Sequence, residues 1–272
     1  MRLDKYLSDM GIGTRSELKK DIKAGLVMVD NSVIRDPGTH ISEGALVTYR
    51  GEPVSYEEFV YYMLHKPAGV ISASEDSRET TVVDLITEQK RKDLFPAGRL
   101  DRDTEGLLLI TNDGEMAHRL LSPRHHVDKL YFARVTGTVT DEDIEAFHSG
   151  LILPDGLQCL PAELRILSTT TSDIDQSDSG LVTSSELNTG SGLLTDSCTS
   201  DIPLSEVPLL SEVEVTIREG KFHQIKRMFL ALGHEVIYLK RLSMGPLTLD
   251  PSLAPGEYRR LTPGEISQLK TI

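Results

Sequence analysis

Apolar residues recur along the chain with helical or alternating spacing, and the spacing predicts the elements. Leu3, Tyr6, Leu7 and Met10 fall at helical intervals, so a first helix is expected over Asp4–Met10. Thr14-Arg15-Ser16-Glu17 reads as a capping box opening a second helix, with Leu18 and Ile22 as its buried stripe and Gly25 as its stop. Val27-Met28-Val29, a turn at Asp30-Asn31 and Val33-Ile34 predict a hairpin. Ala45-Leu46-Val47-Thr48-Tyr49 predicts one further strand.

After a polar linker over 52–58, strand-like and helix-like segments mix. Strands are expected over Val60–Leu64, Val70–Ala73, Leu107–Thr111, Leu130–Thr136, Ala162–Leu167, Glu212–Ile217 and Glu235–Lys240. Helices are expected over Thr81–Glu88, Glu115–Leu121, Thr140–His148, Phe222–Leu232 and Thr262–Lys270. In the fourth of these, Phe222, Ile225, Phe229 and Leu232 form the apolar stripe, while His223, Lys226 and Arg227 share a polar side. With few regular strand–helix–strand units, the fold class is α+β, built on a mixed, largely antiparallel sheet. Ser168–Leu204 breaks the pattern. It is rich in Ser, Thr, Gly and Asp, lacks aromatics, and is expected to be a disordered insert.

Bulk properties narrow the class. The 272 residues suffice for a small domain plus a larger one. No apolar run reaches membrane-spanning length and the first residues lack a signal-peptide core, so a cytoplasmic protein without a membrane partner is expected. Cys159 and Cys198 stand far apart without Cys-x-x-Cys spacing, which suggests neither zinc nor a disulfide framework. A net charge of −13 speaks against nucleic acid until its distribution is examined. Between Ser168 and Glu212 lie eight acids and no Lys or Arg, so the rest of the chain carries only −5. Arg15, Lys19 and Lys23, at i, i+4 and i+8, line one face of the second helix. Such a row is either a solvated face or a phosphate-binding one.

The densest chemistry lies in Gly98-Arg99-Leu100-Asp101-Arg102-Asp103-Thr104-Glu105-Gly106-Leu107. A carboxylate set between two arginines at the mouth of a strand suits a nucleophile or general base. Asp101, Asp103, Glu105 and Gly106 also fit the first half of a calcium loop, but the twelfth position is Asn112 and no helix leads in. A glycosidase pair of acids is a second reading, weakened by the absence of Trp or any sugar-stacking platform. The plain alternative is a solvated turn.

The same ten residues resemble the motif of pseudouridine synthases, Gly-Arg-Leu-Asp-x-Asp-Thr-x-Gly-Leu. Three further segments resemble that family in order: His65-Lys66-Pro67-Ala68-Gly69, with His where Asn is common; Lys129-Leu130-Tyr131; and Gly220-Lys221-Phe222-His223-Gln224-Ile225-Lys226-Arg227. The N-terminal order of helix, basic helix and hairpin resembles the small RNA-binding domain named after ribosomal protein S-four. Ser122-Pro123-Arg124-His125-His126 and the Phe-His-Gln-Ile-Lys-Arg segment are similar to the RsuA-type subgroup, which acts on small-subunit ribosomal RNA.

The resemblance implies an RNA-binding domain over 1–55 and a catalytic domain over 59–272, with the insert at 168–204. It also implies isomerisation of a uridine in ribosomal RNA, at uridine 516 of the 16S molecule, within RNA or a small-subunit assembly intermediate. Asp101 is then the essential carboxylate, Lys226 its cationic partner with Arg227 second, and Tyr131 the ring that stacks on the base. Arg99, His223, Arg227, Arg15, Lys19 and Lys23 would contact RNA. No redox change or donor is required, neither dinucleotide nor P-loop glycine motif is present, and no cofactor or metal is expected of this monomer. A large-subunit enzyme of the same superfamily, or an RNA-binding protein without catalysis, is the alternative.

Overall fold

In the computed structural model, residues 1–42, 44–87, 91, 93–122, 125–171 and 209–272 are described. The N-terminal helices are α1 (Leu3–Asp9) and α2 (Arg15–Ala24). The expected capping box opens α2: the Thr14 hydroxyl accepts from the Glu17 amide and Glu17 accepts in return from the Thr14 amide. Gly25 closes it at φ 82°.

Four antiparallel strands pack beneath, β1 (Val27–Val29), β2 (Ser32–Val33), β3 (Val47–Tyr49) and β4 (Glu52–Val54), in the order β2-β1-β3-β4. Leu3, Leu7, Leu18, Ile22, Val27 and Val47 form their core. The fourth strand corrects the expected linker. Arg50 and Gly51 both take positive φ, the primed hairpin geometry, where Asn-Gly is the usual signal and Arg-Gly a weak one. Pro53 fits because β4 is an edge strand. Tyr56 also stacks on Tyr6, with ring centroids 5.0 Å apart.

The larger sheet contains β5 (Tyr61–Lys66), β6 (Phe95–Ala97), β7 (Glu105–Thr111), β8 (Lys129–Thr136), β9 (Glu163–Thr171), β10 (Leu209–Ile217), β11 (Val236–Met244), β12 (Leu247–Thr248) and β13 (Tyr258–Arg260). Its main path runs β13-β5-β7-β11-β8-β10-β9. Only β7 and β11 pair in parallel, so the sheet is mixed and largely antiparallel. Helices α3 (Gly114–Leu121), α4 (Asp141–Ser149), α5 (Gln224–Ala231) and α6 (Pro263–Leu269) cover it. Residues Phe147, Ile225, Met228 and Phe229 pack with Leu108 and Ile110 in one core. Residues Met116, Ala117, Leu120 and Leu269 pack with Leu107 and Leu109 in another. Burial on both faces explains why β7 is an unbroken Leu-Leu-Leu-Ile run. Among the described residues no helix is long and apolar enough to cross a membrane.

Three expectations need correction. Residues 81–87 form turns and no helix, and Glu88 lies outside the described residues. Thr81 and Asp84 make the reciprocal hydrogen bonds of a helix start, but Thr80-Thr81-Val82-Val83 is β-branched and the turn does not propagate. Val70–Ala73 is no strand; Ile71 makes a single bridge to Thr81. Ser168–Thr171, assigned to the insert, continue β9 opposite Leu209–Glu212, consistent with the strand preference of three consecutive threonines. The rest of the insert, with Cys198, lies outside the described residues.

Candidate active site

The Gly98–Thr104 loop leaves β6 and enters β7, the strand held between β5 and β11. Three interactions from below fix its shape. Lys66, buried at the end of β5, donates from Nζ to the carbonyls of Pro67 at 2.9 Å, Arg102 at 3.2 Å and Thr104 at 2.9 Å. Burial pushes its ammonium down to about 8, with Asp103, Glu105 and Asp101 pulling the other way. Ser72 brackets Leu100, accepting from its amide at 3.1 Å and donating to its carbonyl at 2.8 Å. The Asp101 carbonyl accepts from the Thr104 amide at 3.1 Å, closing a turn. Asp101 is thus held by its backbone and its carboxylate is left to face the cavity.

Gly106 sets the strand that follows. Its φ is 103°, and a Cβ there would lie 2.3 Å from the Arg241 carbonyl oxygen and 2.6 Å from the Arg241 amide nitrogen. Only glycine lets β7 and β11 approach this closely at that backbone angle.

The opposite wall is the start of α5. Its periodicity suggested a helix from Phe222, but His223 sits in the left-handed region (φ 48°, ψ 34°) and the helix begins at Gln224. A non-glycine residue there costs roughly 1 kcal/mol or more. Gln224 restrains the preceding turn, accepting from the Lys221 amide at 3.0 Å and donating to Glu219 at 2.7 Å. Because Phe222 precedes the helix, helical spacing does not apply to it. The residue expected in the apolar stripe is 68 % exposed.

Two of the three basic-type groups on that segment reach the loop. Lys226 Nζ lies 3.4 Å from Asp101 Oδ2 and 2.6 Å from Asp103 Oδ1. His223 Nε2 lies 3.5 Å from Asp101 Oδ1. The Lys226 hydrogen bond holds the Asp103 carboxyl below its ordinary range. Arg227 turns away and pairs with Asp155. The acids that suggested a calcium loop therefore have different partners: Asp101 and Asp103 share Lys226, whereas Glu105 accepts from the Tyr238 hydroxyl at 2.8 Å.

A cavity of about 740 Å³ opens between these walls, lined among others by Arg99, Asp101, Lys129, Tyr131, Phe222 and Arg241. Tyr131 projects from β8 and is 7 % exposed. Arg99 is exposed at the rim and makes no hydrogen bond or ion pair among the described residues. Arg15, Lys19 and Lys23 are also exposed, on α2 and outside this cavity, and no described carboxylate pairs with them. Residues 123–124 of the paired-histidine segment lie outside the described residues.

Arg241 was not anticipated from sequence, and it joins Lys129, the first residue of the Lys-x-Tyr segment, in the site. Arg241 is 2 % exposed; its Nε donates to the Leu107 carbonyl at 2.8 Å and its Nη1 lies 3.5 Å from the Tyr131 hydroxyl. Its Nη2 has no partner among the described residues. Lys129 is buried nearby and donates to the Val127 carbonyl at 2.8 Å; burial, then Arg241, lowers its ammonium below the ordinary lysine range. Buried cations ordinarily have counter-charges, so this pair makes the cavity receptive to an anion. A basic residue inside an otherwise apolar strand, as in Tyr238-Leu239-Lys240-Arg241-Leu242, was the available signal.

Comparison with known proteins gives the family. The family model described as RNA pseudouridylate synthase matches residues 60–231, and the S4 domain model matches residues 1–47. RNA pseudouridine synthase YtzG of Bacillus subtilis is 46 % identical over 271 residues, covering 99 % of this chain and 98 % of that protein. Ribosomal small subunit pseudouridine synthase A of Vibrio cholerae is 36 % identical, with 99 % of both chains covered. Ribosomal large subunit pseudouridine synthase B of Bacillus subtilis is 34 % identical, covering 100 % of this chain and 96 % of that one. A crystal structure of a pseudouridylate synthase matches with a TM-score of 0.59 at 31 % identity, covering 99 % of each chain.

Proposed function

This chain belongs to the RNA pseudouridylate synthase family, enzymes that isomerise uridine within RNA, and on that premise we propose that its substrate is uridine 516 of 16S ribosomal RNA. The observation that carries the catalytic assignment is the convergence of Lys226 and His223 on Asp101, with all three and Tyr131 lining one small pocket. In this reading the bond between N1 and C1′ breaks, the uracil rotates, and C5 joins C1′. The C5 hydrogen passes to solvent and N1 takes up a proton. Asp101 supplies the oxyanion, Lys226 anchors it, and the Tyr131 ring stacks on the extruded uracil. Arg99 and His223 meet RNA at the rim, while Lys129 and Arg241 suit its phosphate.

The small-subunit assignment rests on His125-His126 and on His223, which resemble the small-subunit subgroup. Purified protein incubated with 16S or 23S transcripts tritiated at uridine C5 tests it. Tritium is expected to leave the 16S transcript and not the 23S one; the reverse would make this a large-subunit enzyme. We also propose that residues 1–55 act as the RNA-binding unit and 59–272 as the catalytic unit, working as a cytoplasmic monomer.

Lys226→Met is expected to lower kcat by roughly 100-fold with little change in KM, the size of losing one electrostatic stabiliser. Arg227→Met, which breaks the pair with Asp155 and the hydrogen bond to the Phe222 carbonyl but touches neither Asp101 nor Asp103, should stay within a few-fold of wild type. A larger loss for Arg227→Met would make Arg227 the cation that serves Asp101. In the N-terminal unit, replacing Arg15, Lys19 and Lys23 together by Gln should reduce the slope of log Kd against log salt by about 2 to 3. An unchanged slope would mean that the face is merely solvated.

A further inference from the structure

Phe222 is a large aromatic residue exposed at the entrance of the cavity, with no role in the reaction as described. Its ring stacks on the His223 imidazole, with centroids 3.8 Å apart and planes 18° from parallel. His223 itself reaches Asp101 at 3.5 Å. The ring is therefore fixed by its neighbour, one residue from the carboxylate, while 68 % of Phe222 remains in solvent.

The left-handed turn at His223 ends the helix one residue short of Phe222 and turns its ring out of the core. Such strain at the edge of a cavity is characteristic of binding sites. Arg99, exposed on the same rim, supplies a positive charge without an internal partner among the described residues. An immobilised apolar ring lining the same cavity as an unpaired cation suits a nucleobase attached to a phosphodiester: the ring takes the base and the guanidinium the phosphate.

We infer that Phe222 is a stacking platform for an unpaired nucleobase adjacent to the target uridine, held while the uridine itself is extruded toward Tyr131. This rests on the RNA-modifying reading above and adds a second base-binding position to it. Stacking tolerates any base, so the platform serves affinity and extrusion. It does not select sequence by hydrogen bonding.

The chain contains no Trp, so Phe222→Trp creates a single tryptophan, excited selectively over the tyrosines at the red edge, at the proposed position. Adding 16S transcript should quench that emission in a saturable way, and the variant should retain wild-type KM. Phe222→Ala should raise KM about tenfold, in keeping with the loss of one base–aromatic stack, with kcat changed less than threefold. Phe222 is exposed, so neither substitution disturbs the core. If wild-type protein releases tritium from the transcript while Phe222→Ala has an unchanged KM, the platform is refuted and the RNA-modifying reading stands. If wild-type protein releases none from either ribosomal transcript, that reading falls and the platform with it.

Discussion

Asp101→Asn is expected to eliminate uridine isomerisation while RNA affinity stays within a few-fold of wild type. The amide has nearly the shape of the carboxylate, and the loop is held by Lys66, Ser72 and its own turn, none of which uses the Asp101 side chain. Attack on C1′, attack on C6 and removal of the C2′ proton all need the oxyanion that Asn lacks. The turnover expected to be lost is on the order of 10⁴-fold or more. Single-turnover tritium release measures it, and filter binding of the same transcript measures affinity. Activity within tenfold of wild type would remove Asp101 from the chemistry. Tight binding by the inactive variant would separate recognition from catalysis.

Gly106→Ala is expected to destabilise the fold more than any surface change. The added Cβ meets backbone atoms of Arg241 at 2.3 and 2.6 Å, and a strand backbone cannot yield as a side chain does. The φ of 103° adds conformational strain. Together these cost roughly 3 kcal/mol or more, out of about 5–15 kcal/mol for a typical domain. Relief requires β7 to move away from β11, carrying Asp101 away from Tyr131. Thermal unfolding should shift down by about 6–12 °C. A shift below about 2 °C would show that the two strands separate freely.

Residues close in sequence made much of this site legible. The capping boxes at Thr14 and Thr262 complete themselves within four residues, and both helices begin where those patterns start. The Arg99–Asp103 segment marked the reactive loop because charge and glycine spacing are local properties. The pairing of Asp101 with Lys226 was inferred only through family resemblance, since 125 positions separate them. Features that depend on a distant strand remained hidden. Gly106 entered the sequence reading only as a motif position and the sixth place of a calcium-like loop, and its need for glycine comes from the passage of Arg241 alongside. Lys66 stood in sequence only as part of a family-like segment, and its burial of charge among loop carbonyls was not visible there. Phe222 fitted helical spacing better than its surroundings allowed, because one strained residue after it resets the start of the helix.

Pseudouridine at one position of small-subunit ribosomal RNA, made through Asp101, is the product proposed for this chain. Its most direct test is carbodiimide mapping of 16S ribosomal RNA from a strain lacking the gene, complemented with either the wild-type chain or Asp101→Asn. The pseudouridine stop at uridine 516 is expected to vanish in the deletion, return with the wild-type chain and stay absent with the variant. A stop at that position that persists without the gene, or that the Asp101→Asn chain restores, would contradict it.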